Sequence, residues 1–104
     1  MPTEPLILPE ADADIAEAYH WLERRDAGLG KEFLRCLEAG LDTITRFPAA
    51  FSRSLESFRH YNLRRFPYVI FYDHIDEEVV VYAVFHSAQN PATMKKKLWL
   101  RKPQ

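Results

Sequence analysis

FRHYNLRRFPYVIFYDHIDEEVVVYAVFH, residues 58–86, decides the fold. β-Branched and aromatic residues crowd three stretches of it, Phe58 to Arg65, Tyr68 to His74 and Glu78 to His86. Such residues suit a pleated, half-buried backbone, so three strands are expected. Ile75-Asp76-Glu77 is a connection short enough to make the last two antiparallel. Read with strict alternation, Val69 and Phe71 share one face of the middle strand, and Tyr68, Ile70 and Tyr72 the other. In the last strand Val79, Val81, Ala83 and Phe85 then oppose Val80, Tyr82 and Val84. Both faces are apolar, so each needs a cover.

Upstream the period changes. Leu6, Ile7 and Leu8 lie between Pro5 and Pro9 and read as a short edge strand. From about residue 10 to 25, Ile15, Ala18, Tyr19 and Leu22 recur at helical spacing, with Asp12, Asp14 and Glu17 near the N-terminus, where the helix dipole favours acid. Asp26-Ala27-Gly28-Leu29-Gly30 supplies the turn into a second helix. Leu34, Leu37, Leu41 and Ile44 form its apolar seam with Phe33 alongside, Cys36 packs at the core or its boundary, and Pro48 ends the helix. Two helices so joined make a hairpin that covers one face of the sheet. The C-terminal segment covers the other. Asn90-Pro91 is an N-cap and first-turn pair, and Met94, Leu98 and Arg101 share one face of the helix that follows. The expected architecture is α+β: an N-terminal strand, an antiparallel two-helix hairpin, a three-stranded antiparallel meander and a short C-terminal helix, in one domain over residues 1–104.

Composition narrows the function classes. With 47% hydrophobic and 28% charged residues, the 104-residue chain suits one small globular domain. Its longest apolar runs, Tyr68 to Tyr72 and Val79 to Phe85, fall far short of the roughly 20 residues a membrane-spanning helix needs. MPTEPLILPEAD lacks the basic region and apolar core of a secretory leader, so the expected compartment is the cytoplasm. A single cysteine allows neither an intrachain disulfide nor a thiolate metal cluster, and the four histidines show no metal-ligand spacing. Neither a metal nor a cofactor is expected. The net charge of −1 is divided unevenly: residues 1–52 carry five basic against ten acidic side chains, and residues 53–104 nine against five. That division suggests a basic surface able to meet an acidic partner, or else ordinary solvated charge.

Three stretches together resemble a known family. ADADIAEAYHWLERRDAGLGKEFLRCLEAGLDTITRFP (11–48) is similar to its acidic, alanine-rich first helix with an aromatic pair, leading through G-L-G to a helix ending in F-P. FRHYNLRRFPYVIFYD (58–73) resembles its arginine-bearing strand, F-P-Y and apolar-aromatic strand, and EEVVVYAVFHSAQNP (77–91) its closing strand ending in His. Over about residues 5 to 95 the chain thus resembles ParE-like toxins of the RelE/ParE superfamily, the toxic halves of bacterial type II toxin–antitoxin modules associated with plasmid stabilisation. The resemblance implies inhibition of DNA gyrase by binding, and neutralisation by a cognate antitoxin. The alternatives it leaves are a RelE-type ribosome-dependent mRNA endoribonuclease and a non-toxic antitoxin-binding relative. One departure bears on that choice: Ser87-Ala88-Gln89 stand where the family often has paired basic residues.

Candidate site residues follow. Arg59, Arg64 and Arg65 lie on or beside one expected strand, with 59 and 65 on the same face. They are placed to hold phosphate or an acidic antitoxin segment, or to pair with Asp73, Asp76, Glu77 or Glu78. Lys95 and Lys96 with Trp99 combine basic and aromatic groups as an interface does, unless they are merely the solvated side of a helix. Trp21 is either a partner anchor or the edge of the core. Under the nuclease alternative His86 and Arg65 are weak catalytic candidates, since His86 has only Ser87 and Gln89 close in sequence to assist it.

Overall fold

The computed structural model describes residues 4–103. Met1–Thr3 and Gln104, which the single-domain and leader readings include, lie outside the described residues. The elements run β1 (Leu6–Ile7), α1 (Pro9–Arg25), α2 (Leu29–Arg46), a 3-10 turn (Leu55–Ser57), β2 (Arg59–Asn62), β3 (Tyr68–Ile75), β4 (Glu78–His86) and α3 (Pro91–Arg101). The sheet has the order β1-β4-β3-β2, in which β2, β3 and β4 form the expected antiparallel meander and β1 adds in parallel to β4. The α1–α2 hairpin lies on one face and α3 on the other, so each apolar face has its cover.

Local chemistry accounts for the helix ends. Pro9 occupies the first turn of α1, where a missing N–H costs nothing. Asn90 caps α3, its side-chain oxygen accepting the Ala92 N–H at 2.8 Å. Between the hairpin helices the cap is long-range. Gly28 turns the chain at φ 91, and the Glu23 carboxylate reaches over from α1 to accept the N–H groups of Gly28 and Gly30, both at 2.9 Å. The hairpin is therefore fastened at the open end of α2 by an anion that the helix dipole also favours.

The seam of α2 differs from the expected one. Its buried residues are Gly30, Phe33, Leu37, Gly40 and Ile44, while Leu34 faces solvent. The two glycines hold seam positions because aromatic rings lie on them: a Cβ at residue 30 would come within 2.7 Å of Tyr19, and one at residue 40 within 2.9 Å of Tyr61. Cys36 sits at the core boundary, as expected.

Two strands also depart from the reading. β2 ends at Asn62, because the Leu63 N–H donates to the Tyr68 carbonyl at 2.9 Å and closes a tight connection. Arg64 and Arg65 are therefore in that connection, and Arg65 does not share a strand face with Arg59. Strict alternation fails in β4, where Tyr72 pairs with Val81 and Phe71 with Ala83, leaving Tyr82 as the extra residue of a β-bulge. Val79, Val81 and Val84 consequently join the hairpin-side core, and Val80, Tyr82, Ala83 and Phe85 the α3-side core. Asp76 and Glu77 close the β3–β4 hairpin with both φ angles positive.

The Glu23 cap makes stability depend on acid. Its hydrogen bonds from Gly28 and then Gly30, with Lys31 assisting, lower its pKa from the ordinary glutamate value against the opposing effect of burial. A folded pKa below the unfolded one stabilises fully above the unfolded value and is lost as pH falls through the folded value. In thermal denaturation Glu23→Gln is expected to lie below wild type at neutral pH, with the gap closing in acid. A gap unchanged by pH contradicts the cap.

Candidate functional site

β1 pairs with β4 only at Val80 and Val81, and beyond that point the edge of β4 has no neighbouring strand. Two side chains take the strand's place. The Asp14 carboxylate of α1 accepts the Val84 N–H at 3.1 Å, and the Arg101 guanidinium of α3 donates to the Tyr82 carbonyl at 3.0 Å. Asp14 and Arg101 also meet each other in a bidentate pair at 2.6 and 3.2 Å, with both side chains only 14% exposed. The pair joins the helices on opposite faces around the edge of the sheet. Arg101 is further held over the Phe85 ring, 5.2 Å from its centre.

Beside this latch lies a groove of about 410 Å³. It is lined by Glu17, Ala18 and Trp21 of α1, Tyr68 and His86 of the sheet and Lys97 of α3, among others. The groove brings together Trp21 and His86, two of the candidates, and adds Glu17, Tyr68 and Lys97. Nothing in the spacing of the sequence joins residues 17, 68 and 97; the bulge and the α1 packing do. Burial, with the nearby Glu17 charge second, pushes the Tyr68 hydroxyl pKa up. His86 stands edge-on to Tyr68 at 5.1 Å, and its Nδ1 accepts the Ala88 N–H at 3.0 Å, so only Nε2 remains open to a ligand. Trp21 is 43% exposed, with the Arg25 guanidinium stacked 4.7 Å from its ring centre.

The other candidates stand apart from this groove. Arg59 turns to the preceding loop and donates to the carbonyls of Phe51 at 2.7 Å and Ala49 at 3.3 Å. Arg64 and Arg65 are exposed on the β2–β3 connection, and Arg65 reaches Glu32 at 3.7 Å. Lys95, Lys96 and Trp99 project from α3 into solvent. Among the described residues no three His, Cys, Asp or Glu side chains converge to hold a metal ion. No helix among them is long and apolar enough to cross a membrane.

The family model described as the ParE toxin of type II toxin–antitoxin system, parDE, matches residues 6–91, from β1 to the start of α3. The chain belongs to that family. Among curated proteins no relative matches.

The contacts of Arg59 separate a structural arginine from the two exposed ones. Arg59→Met removes the donor to the part-buried Phe51 carbonyl and the exposed Ala49 carbonyl and is expected to cost about 1–1.5 kcal/mol. Arg64→Ala should change stability by no more than about 0.5 kcal/mol. Denaturant midpoints check both, and equal effects contradict the assignment.

Proposed function

We propose that the protein is a toxin that acts in the cytoplasm by binding DNA gyrase and is silenced by a cognate antitoxin. Membership of the ParE toxin family supports the antitoxin partner, and the resemblance of the hairpin and strands supports gyrase. The observation that carries binding over cleavage is the charge of the groove around His86. An RNA backbone needs cations to hold its phosphates. The lining offers Lys97 alone, against Glu17 and an Asp14 already committed to Arg101. The exposed candidates Trp21, Arg64, Arg65, Lys95, Lys96 and Trp99 are then contacts for protein partners, and Arg59 supports the loop that holds Ala49 and Phe51.

One observation favours a second reading, cleavage of ribosome-bound mRNA. Glu17, Tyr68 and Lys97 stand around the same groove as His86, so a general base, a general acid and a phosphate contact are all within it. Arg65, on the far connection, takes no part in that arrangement. His86→Asn tests the choice, because its amide oxygen can still accept the Ala88 N–H while proton transfer is lost. Growth inhibition within a few-fold of wild type, accompanied by inhibition of gyrase supercoiling in vitro, is the expected result. A loss of roughly 10²-fold would mark a missing general acid or base and turn the assignment to the nuclease.

A further inference from the structure

α3 carries a surface that the fold does not use. Met94 and Leu98 face the sheet and are buried. On the opposite side Trp99 is 58% and Leu100 64% exposed, the two most exposed large apolar side chains among the described residues. Lys95 and Lys96 stand one turn before them, so the four side chains share one outward patch. The charge of the helix is one-sided as well: residues 91–103 include Lys95, Lys96, Lys97, Arg101 and Lys102 and no carboxylate. Arg101 is neutralised by Asp14, and Lys102 by Glu56 at 3.2 Å. Among the described residues Lys95 and Lys96 have no carboxylate at ion-pair distance.

We propose that this outward face of α3 docks the toxin onto an acidic surface of its protein target, with Trp99 and Leu100 as apolar anchors and Lys95 and Lys96 paired to target carboxylates. The inference rests on the binding-toxin reading and adds to it the face that meets the target rather than the antitoxin. Trp is among the residue types most enriched in interface hot spots, and Leu100 extends the apolar surface beside it. Unpaired lysines around it call for carboxylates across the contact. The patch is held rigid before docking, since the ion pairs of Arg101 and Lys102 fasten its helix at the C-terminal end, and a preformed surface loses little freedom on binding. A bilayer is the poorer fit: the outward stripe holds only two large apolar groups, and the other stripe is already buried on the sheet. Duplex nucleic acid is disfavoured by a chain whose net charge is −1. The family match ends at residue 91, where α3 begins, so this face belongs to the part of the chain that the match leaves out.

Two double variants of the full chain test it, Trp99→Ser with Leu100→Ser, and Lys95→Glu with Lys96→Glu. All four residues are exposed, so thermal midpoints should stay at wild type; the charge-reversed pair keeps the test standing if the first variant folds poorly. Both variants are expected to lose growth inhibition by about tenfold or more while still capturing the antitoxin. Toxicity equal to wild type overturns the proposal. So does an equal loss of antitoxin capture, which would assign the face to the antitoxin. Wild-type binding to phosphatidylglycerol vesicles or to duplex DNA that disappears in the variants also overturns it, in favour of a membrane or nucleic acid. If the variants lose growth inhibition but the wild type leaves gyrase supercoiling untouched, the docking face stands and the gyrase assignment fails.

Discussion

Arg101 closing on Asp14 at the open edge of β4 is the interaction on which the arrangement of this small domain depends. A sheet covered on both faces by helices still has to end somewhere, and an exposed edge offers unpaired N–H and C=O groups to any passing strand. Here the edge is ended by an ion pair that also serves as the missing strand, the carboxylate accepting from Val84 and the guanidinium donating to Tyr82. The two charges are only partly withdrawn from water, and the bidentate geometry together with the bonds to Val84 and Tyr82 offsets the cost of withdrawing them. The same pair joins the hairpin-side core to the α3-side core, which have no other ion pair between α1 and α3 among the described residues.

The bulge at Tyr82 and the latch explain one another. One extra residue in β4 turns the strand over, so that Val81 and Val84 both face the hairpin and Tyr82 and Ala83 both face α3. The Tyr82 carbonyl and Val84 N–H are thereby presented to the two charged side chains. No period in VVVYAVF announces a bulge, since every residue in the run is apolar and either phase reads as a good strand. The element types and their order were legible because each had its own signal: prolines at the ends of β1, helical spacing in α1, Asn90-Pro91 before α3. The seam of α2 holds Phe33, Leu37 and Ile44 as its spacing predicts and departs from it at Leu34 and at two glycines, for a physical reason. Apolar spacing counts side chains, and Gly30 and Gly40 are buried for the lack of one, under Tyr19 and Tyr61.

Less of the candidate site could be read. Arg59, Arg64 and Arg65 look equivalent in sequence, yet one supports a loop and two face solvent, because the strand ends at Asn62 and not at residue 65. The groove at His86 is built from residues 17, 21, 68, 86 and 97, whose separation along the chain hides their convergence. Lys95, Lys96 and Trp99 were legible as a cluster, and the burial of Met94 and Leu98 fixes which way they point. Lys97 is the one Lys or Arg side chain lining the groove, and the outward face of α3 lies apart from the core.

Asp14 and Arg101 act on α3 as one unit. A double-mutant cycle of Asp14→Ala and Arg101→Ala, followed by equilibrium unfolding, measures this directly. Each single replacement leaves a part-buried charge and a backbone group short of a partner and is expected to cost about 1–3 kcal/mol. The double replacement should cost clearly less than their sum, with a coupling of about 1–3 kcal/mol. Strictly additive losses would mean that the two residues act independently and that no latch joins α1 to α3, leaving the burial of Met94 and Leu98 to hold α3 on the sheet.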